Sequence, residues 1–288
     1  MNKKINIIKE SGDTAPFIRA KVEKSLMRSG AYPALARQIA LEVEKNLVSG
    51  TKTQDIYNLA YKILKRENAR PIAARYSLKK AITALGPTGF PFERFIGEIF
   101  NRKGFNVQVG VVVKGKCVNH EVDVVAKNDE KHYFMECKFH ADQARSTDVK
   151  VALYVHSRFR DILEKMDDKK LCHKIHKAWV ITNTRLSQDA IAYGECNGMK
   201  MIGWNYPKGR GVEVLIEETG LHPLTCLTTI NDNEKRMLLD NNVVLVQDLP
   251  EKIYLLKNLG IKDKKLENLL KEAKDICGDG GIINNDTK

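Results

Sequence analysis

A chain of 288 residues, 43% hydrophobic and 29% charged, fits one large domain or two to three small ones. Its six cysteines are widely spaced without a CxxC pair, and no run nears the roughly 20 apolar residues of a membrane span, which argues against a disulfide scaffold or a membrane partner and for the cytoplasm. The net charge of +12 is uneven: residues 1–85 hold 17 Lys and Arg against 7 Asp and Glu, so a polyanion or a nucleoside triphosphate suits the N-terminal third.

Residues 1–86 read as a small helical domain. Ile5 to Lys9 predicts a strand, and Gly12 a turn at positive φ. Helices follow over Ala20–Arg28, with Val22, Leu26 and Ser29 inward, and over Pro33–Val48, where Leu35, Ile39, Val43 and Leu47 recur every four residues. Thr53 is read as the N-cap of a third helix, Asp55–Glu67, and Pro71 as the start of a fourth that runs past Ile82 to Gly86-Pro87. Periodicity alone leaves the purpose of this domain open.

Ile8-Lys9, the Gly12 turn, Pro16-Phe17, Lys21-Val22, Thr53-Gln54-Asp55-Ile56 and Ala74-Arg75-Tyr76 resemble the ATP-cone, a regulatory nucleotide-binding domain of ribonucleotide reductases and their repressors. The resemblance implies that Lys9 and Lys21 contact the phosphates of ATP or another nucleotide. Here Glu10 follows Lys9, where many members have a second basic residue. No GxxxxGK[ST] run is present, so the nucleotide is expected as an effector and not as fuel.

Residues 87–215 carry the chemistry. Phe90–Arg102 predicts a helix with Phe92, Phe95, Ile96, Ile99 and Phe100 as its apolar face. Phe105–Val109 reads as a strand, and Val111–Val118 as another strand and a tight turn. Two further runs, His120–Ala126 and His132–Lys138, flank the polar turn 127–131 and read as a β-hairpin. With the turn near Asp129, Asp123 falls beside or diagonal to Glu136, and strand alternation puts Lys138 on the same face as Glu136. Two carboxylates and the carbonyl of Cys137 form a hard-oxygen set for a divalent cation, and a lysine counters charge on a phosphate. Acids on a solvated sheet face are the plainer explanation of the same spacing.

The Phe92-Glu93 helix, Gly104-Phe105-x-Val107, Glu121-Val122-Asp123 and Glu136-Cys137-Lys138 resemble the PD-(D/E)XK nucleases, above all the Mrr-like restriction endonucleases and the archaeal Holliday-junction resolvases. The resemblance implies Glu93, Asp123, Glu136 and Lys138 as catalytic residues, with Mg²⁺, or Mn²⁺ in its place, on Asp123, Glu136 and the Cys137 carbonyl. Glu121 is an extra acid where many members have Gly-Ile-Asp. Beyond the hairpin, Thr147 is read as opening a helix over Asp148–Lys165. Lys177–Asn183, a helix capped by Ser187, and Gly198–Trp204 form a strand–helix–strand crossover. His140, Gln143, Arg145 and Lys150 are candidates to meet a DNA backbone. His156 reads as a packing residue, Trp204 and Tyr206 as core or rim, and Cys172-His173-x-x-His176 as a weak zinc pattern.

Residues 216–288 read as an appended helical segment, with helices over 231–240, 249–259 and 263–277 and a polar tail. The fold expected is α/β: a mixed sheet with flanking helices, behind a small helical domain and ahead of a helical segment. The function expected is a Mg²⁺-dependent DNA endonuclease that restricts foreign DNA under nucleotide control. Its alternatives are a repair or Holliday-junction nuclease, and a non-catalytic DNA-binding or nucleotide-sensing protein. Partners are DNA and a nucleotide; oligomeric state is open, a homodimer being one option.

Overall fold

The computed structural model describes residues 5–9, 12–67, 69–166 and 175–277. In chain order come β1 (Asn6–Ile8), β2 (Thr14–Pro16), α1 (Arg19–Arg28), α2 (Pro33–Lys45), α3 (Thr53–Arg66), α4 (Arg70–Tyr76), α5 (Leu78–Thr83) and α6 (Phe90–Arg102). Then follow β3 (Asn106–Lys114), β4 (Asn119–Lys127), β5 (Lys131–Lys138), β6 (Ser146–Thr147), α7 (Val149–Met166), β7 (Ile175–Thr182), β8 (Arg185–Leu186), α8 (Gln188–Cys196) and β9 (Lys200–Ile202). The chain ends in α9 (Val212–Thr219), α10 (Asp232–Asp240), α11 (Ile253–Asn258) and α12 (Asp263–Cys277), with a 3-10 segment over Val246–Lys252. These elements divide into two compact units, and the described residues from 216 on contribute to both.

One unit comprises the described residues up to Leu78, Cys226–Glu234 and the described residues from Leu249 on. β1 and β2 pair antiparallel through the turn at Gly12, whose φ is +87 as the turn reading requires. Val22, Leu26, Leu35, Ile39, Val43, Ile56 and Leu64 close one core, so the four-residue periodicity of α1 to α3 marks the buried stripe. Two expectations fail. Thr53 lies inside α3 instead of capping it, and its hydroxyl turns to the Ile8 carbonyl at 3.5 Å. The fourth helix breaks at Ser77, whose hydroxyl binds back to the Ala74 carbonyl and ends α4. Glu272 of α12, only 2% exposed, accepts from the Thr228 and Thr229 amides, each at 2.8 Å, and so ties α12 to that loop.

The other unit comprises Lys79–Thr225 and Lys235–Asp248. Its sheet has the order β3-β4-β5-β7-β9, antiparallel across the first three strands and parallel across the last three. The parallel half follows from crossovers that carry α7 between β5 and β7 and α8 between β7 and β9; Ser187 caps α8 by accepting from the Ala190 amide. α6 buries Phe92, Phe95, Ile96, Ile99 and Phe100, all five positions of its expected face. The strand breaks differ from those expected: residues 106–114 form one continuous strand, and Thr147 pairs with Leu186 in β6–β8 while Asp148 accepts the Lys150 amide at the start of α7. α9 was unanticipated, because Val212, Leu215 and Ile216 give too short a stripe to stand out beside Gly211 and Gly220.

Candidate active site

Irregular pairing positions the acids. β3 sends Val107 and Val109 toward Gly97 of α6, yet Val111 and Val113 pack with Ile162 of α7. Strict alternation would leave all four on one face. The change occurs at Gly110, whose φ of +63 suits a residue without Cβ, and the β3–β4 ladder skips the Gly110–Asp123 pair. The β4–β5 ladder ends at Val124–Met135, so Asp123 stands where β4 and β5 part. Its Oδ2 accepts the Cys137 amide at 2.7 Å and closes that fork.

Glu136 lies across the fork. Its carboxylate accepts from the Tyr154 hydroxyl through Oε1 and from Arg158 at 2.9 Å through Oε2, both donors standing on α7. Glu93 enters from the first turn of α6, and a Cβ on Gly89 would come within 3.1 Å of its Oε1. The glycine before the helix thus leaves space for this acid. Lys138 is exposed at the end of β5, opposite Thr182. Behind it the Phe139 ring fills the place a Cβ on Gly86 would need, 2.7 Å away. Asn183 then pins the chain by donating to the His140 carbonyl and accepting its amide, both at 2.8 Å.

Electrostatics marks the three carboxyl groups as one cluster. Burial, then the charges of Asp123, Glu136 and Glu121, push Glu93 up to about 7. Burial and Glu136 push Asp123 up to about 6, against the Cys137 amide and Arg158, which favour its charged form. Burial also raises the Cys137 thiol, which is enclosed and offers no thiolate for a soft metal. Because the native state holds these protons above the ordinary carboxylate range, it binds more protons than the unfolded chain between about pH 4 and 7. The metal-free protein should therefore lose stability as pH rises through that window. Asp123→Asn keeps an acceptor for the Cys137 amide and should raise the thermal midpoint at pH 8 but not at pH 4. An offset independent of pH would contradict the clustering.

The donor set fits a hard divalent cation: Asp123 and Glu136 supply carboxylate oxygens on adjoining strands, and the Cys137 carbonyl lies in the same strand as Glu136. Among the described residues, no three His, Cys, Asp or Glu side chains converge as a ready-made cage. Cys172 and His173 of the zinc pattern lie outside the described residues, and the His176 ring lies 5.4 Å from that of His132, tilted by 55°. His156 bonds the Tyr193 hydroxyl at 2.8 Å, Trp204 is buried, and Tyr206 donates to Glu195 at 2.5 Å, all packing roles. Of the polar residues after Lys138, Gln143 donates to Thr83 at 3.0 Å. Sequence reasoning missed Tyr154, Arg158 and Asn183. Tyr154 and Arg158 stand four apart, each just before a packing residue, Val155 and Phe159; that spacing marks one edge of the helix without saying what it faces.

In the other unit, Lys9 and Lys21 are both exposed. Lys9 follows β1, where its amide donates to the Asp13 carbonyl at 2.8 Å; Lys21 lies in the first turn of α1. Glu10 lies outside the described residues.

A five-stranded mixed sheet with an acid at the fork of its antiparallel strands and a glutamate on the preceding helix defines a restriction-endonuclease-like core. Residues 86–205 match the family model described as "Restriction endonuclease", the Mrr catalytic type, residues 5–84 match "ATP cone domain", and residues 222–277 match "AF1548-like, C-terminal". An uncharacterized protein of Archaeoglobus fulgidus is 36% identical over 187 residues, covering 64% of this chain and 100% of that protein. A crystal structure described as a protein of unknown function, AF1548, is 33% identical with a TM-score of 0.54, covering 66% of this chain and 99% of that one. The chain belongs to the AF1548-like family, with an ATP cone ahead of an Mrr-like restriction-endonuclease domain. Among the described residues, no helix is long and apolar enough to cross a membrane.

Proposed function

We propose that this protein is a Mg²⁺-dependent DNA endonuclease, acting in restriction of foreign DNA, whose ATP cone tunes it to nucleotide level. The observation that carries the reading is the cluster of Glu93, Asp123 and Glu136 at the strand fork, with Lys138 exposed on the same strand as Glu136. Asp123, Glu136 and the Cys137 carbonyl would hold the cation, Mn²⁺ serving in its place. When bound, Mg²⁺ supplies Lewis acidity toward a phosphodiester and acidifies water. Lys138 donates to a phosphoryl oxygen and offsets the charge that grows there during hydrolysis. Glu93, near 7 in the metal-free protein, accepts or returns a proton close to neutral pH. The raised values of Glu93 and Asp123 favour this reading over a solvated acidic face, where carboxyl groups keep their ordinary range.

The test is incubation of the full chain with supercoiled, linear, methylated and branched DNA, each with and without Mg²⁺ and ATP. Cleavage that needs Mg²⁺ supports the reading, and preference for branched DNA would favour junction resolution over restriction. DNA binding without cleavage in any Mg²⁺ condition would favour the non-catalytic alternative.

Lys9 and Lys21 would hold the nucleotide phosphates as point charges at the end of β1 and the start of α1. Exchanging both for alanine should weaken ATP binding by about a hundredfold, on the scale of two charge-assisted contacts. Calorimetry that detects no ATP on the unaltered chain would remove the effector role.

A further inference from the structure

Both oxygens of Glu136 are taken by α7. The Tyr154 hydroxyl donates to Oε1, and the Arg158 guanidinium donates to Oε2 at 2.9 Å. Arg158 also lies over the Tyr154 ring, 5.1 Å from its centroid, so the two donors brace one another across a helical turn. The guanidinium charge reaches Asp123 as well, where it favours the ionised form. A positive group bonded to Glu136, whose charge also favours ionised Asp123, acts on these carboxylates as a cation does. It also repels a divalent ion that approaches the same oxygens.

We propose that Arg158, steadied by Tyr154, is a built-in placeholder cation: it holds Glu136 until a divalent ion displaces it, and so sets the affinity of the site. This rests on the reading of Asp123 and Glu136 as cation ligands. A carboxylate oxygen has lone pairs enough to keep the Tyr154 bond while ligating, so the exchange concerns Arg158. The Arg158 side chain is 28% exposed, which gives the guanidinium a path to solvent when it leaves. Neither residue was among the sequence candidates, because the contact needs the rotation of α7 about its axis.

The experiment is calorimetric titration of Ca²⁺ into the full chain without DNA, comparing the unaltered protein with Arg158→Gln, Arg158→Lys and Asp123→Ala. Arg158→Gln should bind Ca²⁺ about tenfold more tightly, the effect of losing one competing ion pair, while Arg158→Lys stays near the unaltered affinity. Tyr154→Phe, which removes only a hydroxyl, should shift affinity in the same direction by less and serves if Arg158→Gln does not fold. Equal or weaker Ca²⁺ binding by Arg158→Gln, with binding still lost in Asp123→Ala, overturns the placeholder and leaves the cation site standing. Binding that survives Asp123→Ala, or is absent from every protein, overturns the cation-site reading and the placeholder with it.

Discussion

Asp123→Ala should slow Mg²⁺-dependent DNA cleavage by about a thousandfold or more, the rate equivalent of the several kcal/mol that a Lewis-acid cation contributes. Asp123 is singled out over Glu136 because of where it stands. The β4–β5 ladder has ended, the Gly110–Asp123 pair is missing from the β3–β4 ladder, and the carboxylate bridges to the Cys137 amide. Alanine removes a ligand and leaves that amide without its acceptor, a local loss on the order of 1–3 kcal/mol. It also removes the Asp123 charge, which adds to burial in pushing Glu93 up to about 7. The two effects oppose, so circular dichroism should show the fold intact while plasmid nicking vanishes. Nicking at the unaltered rate would remove Asp123 from the site.

Lys138→Met should slow the same reaction by about a hundredfold, the scale seen when one preorganised donor to a developing oxyanion is removed. Lys138 is exposed and enters no ion pair among the described residues, so its charge is available to a phosphate. Methionine keeps the length and apolar stem of the side chain and removes the charge. Calorimetry should find Ca²⁺ binding no weaker than in the unaltered chain, because the lysine is proposed to meet the phosphate and not the cation. Weakened metal binding with unchanged cleavage would reverse that assignment.

Much of this site could be read from the sequence because it rests on local rules. A two-residue period, a polar turn at 127–131 and a hairpin centred near Asp129 are enough to set Asp123 beside Glu136 across neighbouring strands. The apolar face of α6 fixed the helix on which Glu93 stands, in its first turn. What local rules miss is the fork. Alternation alone treats β3 and β4 as regular and cannot see that Gly110 and Asp123 drop out of the ladder, the irregularity that brings Asp123 to the Cys137 amide. The same limit applies to Tyr154 and Arg158. Their four-residue spacing shows that they share an edge of α7, but the partner on that edge is set by how the helix lies on the sheet.

The smaller failures have the same cause. Thr53 has the chemistry of a cap, yet its hydroxyl faces β1 and the helix starts two residues sooner. The Pro71 helix carries no breaker in its periodicity, and Ser77 ends it through a side-chain bond to the backbone. Tertiary contacts override local preference at each of these points.

We propose that the acid fork of β4 and β5 hydrolyses DNA with a divalent cation. The most direct test is the conversion of supercoiled plasmid by the purified full chain in Mg²⁺ against the same reaction in chelator, with Asp123→Ala prepared alongside. Nicked and linear DNA from the unaltered chain in Mg²⁺ alone, and none from the variant, is the result predicted. Cleavage by both proteins, cleavage in chelator, or intact plasmid in every reaction would contradict it.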